Sequence, residues 1–144
     1  MEGSRGRDTA SAMSDENVKI VRRYYAAWNA GGLDAARAFW SQDFEWHDAP
    51  GMPDGGVYCG ADTAAAHFRD LDEVLGAMEV HLERVLPAGD EVFVLLRVHL
   101  DARRGELALD GPIFETVRIE EGKISRIRLF LDEQSALEAA GLSE

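Results

Sequence analysis

Residues 22–50 read RRYYAAWNAGGLDAARAFWSQDFEWHDAP, and this stretch decides the fold. It holds an aromatic helix ended by Gly31-Gly32, then a short helix marked by Leu33, Ala36, Phe39 and Trp40. A strand follows over Phe44-Glu45-Trp46 and closes on His47-Asp48. That order puts a phenol, Tyr24, and a carboxylate, Asp48, on two elements able to face one cavity. A carboxylate base opposite a hydrogen-bond donor is the minimal equipment for moving a proton beside a carbonyl.

Upstream, Ser14 followed by Asp15 and Glu16 supplies an N-cap and an acidic first turn. Val18, Val21, Tyr25 and Trp28 then recur at helical spacing, with Tyr24 beside the stripe. The preceding MEGSRGRDTASAM, residues 1–13, is polar, rich in small residues and without an apolar segment. It reads as a disordered leader ahead of one domain over residues 14–144, and not as a signal peptide.

Downstream, residues 49–61 (APGMPDGGVYCGA) cluster Pro and Gly and predict a loop. A third helix is expected from about Asp62 to Leu75, with Phe68, Leu71 and Leu75 on one face. After Gly76 the period changes to two: Met78, Val80 and Leu82 alternate with Glu79, His81 and Glu83. Further strands are expected over Glu91–Leu100, Leu107–Glu120 and Lys123–Leu131, the last two joined by a tight turn at Glu121-Gly122. A short helix over Glu133–Ala140 ends at Gly141. Three N-terminal helices followed by an antiparallel meander predict an α+β domain, a cone whose curved sheet and covering helices enclose one apolar cavity.

The 144 residues suffice for one domain with a real core, and 46% of them are hydrophobic. No stretch approaches the run of about 18 apolar residues that a membrane helix needs. A net charge of −12, with 15 basic residues scattered among 27 acids, argues against nucleic acid as a partner. The single cysteine, Cys59, excludes an internal disulfide framework and fits a reducing cytoplasm.

Asp48 lies at a strand end beside Trp46 and His47. An acid in an aromatic setting loses hydration and holds a proton more readily near neutrality, which suits a general base. The competing reading makes it a loop cap that accepts backbone hydrogen bonds. Tyr24 and Tyr25 point about 100° apart on a helix, so one can join the core stripe while the other reaches elsewhere. Glu115 interrupts an apolar strand face that includes Ile113, Val117 and Ile119. It is either a protonated donor on a cavity wall or the partner of an arginine, with Arg97 and Arg128 as candidates. His99 shares a face with Arg97, Leu95 and Phe93 and is placed to line a pocket or an oligomer interface, as is His67 on the third helix. The four histidines lack metal-ligand spacing, so no metal is expected. No Gly-rich loop joins a strand to a helix, and no nucleophile elbow is present, so nucleotide binding and acyl transfer have no support.

These residues together resemble the NTF2-like superfamily in its SnoaL-like and ketosteroid isomerase-like branch. The resemblance rests on Arg23-Tyr24, Ala26-Ala27, Asn29-Ala30-Gly31, Leu33-Asp34, Asp43 through Asp48-Ala49-Pro50, Gly60, and Gly122-Lys123-Ile124, and covers residues 16–141. It implies that Tyr24 matches an oxyanion-hole tyrosine and Asp48 a general-base aspartate. Glu115 matches the second oxyanion-hole acid if the Glu120–Gly122 turn is one residue shorter than in the steroid enzymes; an ungapped alignment places Phe114 there. By this resemblance Asp48 removes a proton beside a substrate carbonyl, while Tyr24 and protonated Glu115 hold the resulting dienolate.

Trp28, Trp46, Tyr58 and Phe68 are the expected aromatic lining, joined by Arg97, His99 and Phe114. The expected activity is cofactor-free acid–base chemistry on a small hydrophobic carbonyl compound, as isomerase or polyketide cyclase. A non-catalytic hydrophobic ligand-binding module is the alternative. An epoxide hydrolase is a third reading, with Arg97, Asp101 and Asp132 as its loose candidates. The resemblance further implies a homodimer through the sheet.

Overall fold

A computed structural model describes residues 2–49, 56–75, 78–101 and 108–142. Helix α1 runs Glu2–Ala36 and breaks at Gly32, whose φ of 67° and ψ of −152° only glycine adopts readily. The second helix expected from the sequence is the segment beyond this kink plus a 3-10 turn, Arg37–Phe39. The backbone of the expected leader is helical from Glu2 onward, ahead of the Ser14 cap.

Strand β1 spans Trp40–His47, starting earlier than Phe44. Strand β2, Val57–Cys59, lies in the stretch expected to be a loop and pairs antiparallel with β1, Tyr58 opposite Trp46. Residues 50–55 of that expected loop lie outside the described residues. Helix α2 covers Ala61–Leu75, as its apolar spacing predicted. Strands β3 (Met78–Ala88), β4 (Glu91–Asp101), β5 (Ala108–Glu120) and β6 (Lys123–Phe130) form the antiparallel meander, and α3 (Glu133–Ala139) follows. The β5–β6 turn is tight because Glu121 and Gly122 both take positive φ, 51° and 78°.

The sheet order is β2-β1-β6-β5-β4-β3. The meander accounts for four strands; β1 departs from it by lying parallel to β6, with a register shift between Trp40 and Glu45. Helix α1 docks on the far edge through Asn29. Its side-chain amide donates to the Val80 carbonyl at 2.6 Å and accepts from the Val80 N–H at 2.9 Å, as a neighbouring strand would.

Alternation divides the sheet into two faces. Val92, Val94, Leu96, Val98, Val117 and Leu129 pack with Ile20, Val21, Tyr24 and Tyr25 of α1 and with Ala64, Ala65 and Phe68 of α2. Phe93 and Phe114, on the opposite face, pack with Ala136 of α3. Asp132 caps α3 by accepting from the Ser135 N–H at 2.8 Å.

Candidate active site

Both tyrosines of α1 are buried, yet their hydroxyls do different work. The Tyr24 oxygen accepts from the Trp28 indole one turn onward at 2.9 Å and from the Trp40 indole, where β1 begins, at 3.1 Å. A phenol oxygen has two acceptor positions, so both are used and its own O–H remains as a donor. Tyr25 instead donates its hydroxyl to the Glu115 carboxylate. The sequence offered arginines as partners for this acid; the partner is the second phenol. Arg97 pairs with Glu83 at 2.8 Å and Arg128 with Glu91 at 3.1 Å.

Glu115 stands opposite Val94 of β4 and Leu129 of β6, on the face turned to α1, and is 4% exposed. Burial pushes its carboxyl up to about 7, partly offset by the Tyr25 hydrogen bond. Burial first, and the Glu115 charge second, push both tyrosine hydroxyls well above the ordinary phenol range. Tyr24 and Tyr25 therefore remain O–H donors at any physiological pH, and Glu115 changes its protonation near neutrality.

Phe68 of α2 links this cluster to Asp48. Its ring meets Trp28 edge-on at 5.5 Å and Trp46 edge-on at 4.8 Å, and lies 5.9 Å from Trp40. Strand alternation turns Trp46 and Asp48 to one side and Glu45 and His47 to the other. The Trp46 indole donates to Asp48 Oδ1 at 2.6 Å, while His47 Nε2 contacts Glu45 at 2.8 Å. The Asp48 side chain is 7% exposed. Its second oxygen, Oδ2, faces His67 Nε2 at 3.7 Å, and the His67 ring lies flat on Tyr58 with centroids 3.9 Å apart.

The structure thus brings together Tyr24, Glu115, Trp28, Phe68, Trp46, Asp48 and Tyr58 through a continuous run of contacts. It does not bring in Arg97, His99 or Phe114. Arg97 and His99 alternate with the core residues Val94, Leu96 and Val98, so they lie on the other face of β4. Phe114 lies under α3 with Phe93.

Two residues that matter here are not among those the family resemblance singles out. Tyr25 belongs to the core stripe by its i+4 spacing from Val21, and that spacing does not fix where the hydroxyl ends. His67 carries a weak signal: it follows Ala64 by three residues and precedes Leu71 by four, which puts it beside the buried face of α2. Among the described residues, no group of three or more His, Cys, Asp or Glu side chains is arranged to hold a metal ion. No helix among them is long and apolar enough to cross a membrane.

Comparison with known proteins decides the family. A profile of the SnoaL-like domain matches residues 21–127, more than half of the chain. The chain belongs to the SnoaL-like family.

Solved structures agree on the fold. An NTF2-like protein from Burkholderia thailandensis E264 is 28% identical, with a TM-score of 0.69 over 86% of this chain and 94% of that one. Bal32a, from a soil-derived mobile gene cassette, is 26% identical, with a TM-score of 0.70 over 81% and 89%. A protein from Jannaschia sp. CCS1 named for the SnoaL-like polyketide cyclases is 22% identical, with a TM-score of 0.68 over 90% and 94%. No curated protein matches the chain in sequence. The fold of this SnoaL-like chain is therefore NTF2-like, a curved sheet with helices.

Proposed function

We propose that this SnoaL-like protein is an enzyme of cofactor-free acid–base chemistry on a small hydrophobic carbonyl compound. Asp48 acts as the general base, and the Tyr24 hydroxyl stabilises the developing enolate oxygen, helped electrostatically when nearby Glu115 is protonated and uncharged. The observation that carries this reading is the bonding of Asp48. Its shielded carboxylate accepts from an indole and faces an imidazole, and among the described residues no arginine or backbone amide is bonded to it. A carboxylate serving only as a loop cap would be tied to backbone N–H groups. The same reading carries a homodimer through the outer sheet face, which size-exclusion chromatography tests.

The reaction is tested by hydrogen–deuterium exchange at the carbon beside the carbonyl of 2-tetralone, followed by proton NMR in D2O. Wild type is expected to catalyse exchange and Asp48→Asn to lose it. Absence of exchange with wild type overturns the proton-abstraction reading and leaves the binding module. The epoxide hydrolase reading draws no support, because Arg97 is engaged by Glu83 and Asp132 by the α3 cap. The side chain of its third candidate, Asp101, lies outside those described.

A further inference from the structure

We propose that Asp48 and His67 form a hydroxyl-binding pair, so that the compound taken by this site is an enolised or hydroxylated carbonyl compound. The proposal deepens the acid–base reading and rests on it for the role of Asp48.

His67 Nε2 is shielded from solvent and has no hydrogen-bond partner among the described residues. At 3.7 Å from Asp48 Oδ2 it is within electrostatic reach but beyond hydrogen-bond length. A buried polar nitrogen without a partner is uncommon in a folded protein and calls for a reason. The spacing is set by the framework: the imidazole lies on Tyr58 at an interplanar angle of 15°, and β2 holds Tyr58 opposite Trp46. Trp46 in turn holds the other Asp48 oxygen.

The facing carboxylate favours the tautomer with its proton on Nε2. The pair then presents one donor and one acceptor, side by side. An oxygen about 2.8 Å from each closes a triangle on the 3.7 Å base. That oxygen must accept from Nε2–H and donate to Oδ2 at once. A hydroxyl or an enol does both; a ketone, an ether or an ester oxygen only accepts.

The test compares binding of 2-naphthol and 2-methoxynaphthalene by isothermal titration calorimetry. Wild type is expected to favour the naphthol by roughly tenfold or more. His67→Phe keeps a ring on Tyr58 but removes the donor, and is expected to bring the two affinities to within about twofold. His67→Gln retains an N–H in the region of Nε2 and is expected to keep part of the preference, with circular dichroism checking that both variants fold. Equal affinities in wild type, no binding of either probe, or a preference that survives His67→Phe overturns the proposal. A preference lost in Tyr24→Phe and kept in His67→Phe also overturns it, by moving the hydroxyl to the tyrosine. Loss of the predicted preference with exchange intact strikes this inference alone; a His67-dependent preference without exchange strikes the catalytic reading alone.

Discussion

The Tyr25 hydroxyl on α1 donates to the Glu115 carboxylate on β5, joining residues 90 apart in sequence. The acid is thereby held in the core by a phenol rather than by a cation. Such a partner satisfies one oxygen without neutralising the charge, which is why burial still dominates the carboxyl's behaviour.

Replacing Tyr25 by phenylalanine keeps the ring and removes the donor. The expected cost is about 1–3 kcal/mol in unfolding free energy, because a buried acceptor loses its partner. Urea denaturation measures it. The bond lowers the Glu115 carboxyl, so its removal moves the acid's titration further upward.

Glu115 also makes stability depend on pH. Its carboxyl is raised from 4.5 to about 7 in the folded state, so between those values the native protein holds a proton that the unfolded chain has released. The contribution is fully present below about 4.5 and is lost as pH rises through about 7, a change of roughly 2–4 kcal/mol. Unfolding midpoints at pH 5 and pH 8 should differ more in wild type than in Glu115→Gln. If protonated Glu115 supports the oxyanion, exchange should decline over the same upper range and Glu115→Gln should flatten that decline.

Tyr24→Phe removes one donor and leaves the Trp28 and Trp40 indoles without their shared acceptor. Exchange is expected to fall by about 10²–10³. Stability is expected to fall by about 1–3 kcal/mol. Calorimetric melting beside the NMR assay separates the two effects.

Asp48→Asn preserves shape and keeps an oxygen for the Trp46 indole. Exchange should drop by about 10²–10⁴ with little change in melting temperature. A melting change as large as that of Tyr24→Phe would instead mark Asp48 as structural.

Gly32→Ala tests the kink. A Cβ there meets nothing within 4 Å, so crowding contributes nothing to the cost. The backbone, at φ 67° and ψ −152°, is the source, and the expected loss is about 1–3 kcal/mol. Denaturant midpoints check it.

Much of this architecture is legible in the sequence because periodicity is a local property. The alternation after Gly76 marks the meander, and the spacing of Phe68 and Leu71 marks α2. Strand β2 is not legible, because three residues in a Gly- and Pro-rich stretch are too few to show a period, and their pairing with β1 is not local. Trp40 fits a helical stripe yet begins β1, since its indole is claimed by Tyr24 from another element. At the site, Asp48 and Tyr24 stand out through resemblance. The same alternation that turns Glu115 inward turns Phe114 outward, so those neighbours cannot both line one face.

The parallel pairing of β1 with β6 has a consequence for how the protein is made. From residue 47 the chain must run to residue 123 before β1 gains its second neighbour. Until then β1 has only the three residues of β2 beside it. Closing so long an intervening segment is slow relative to forming local hairpins. The sheet around Asp48 is therefore completed only once β6 has been made, and a chain cut short before β6 would leave that strand's edge bare.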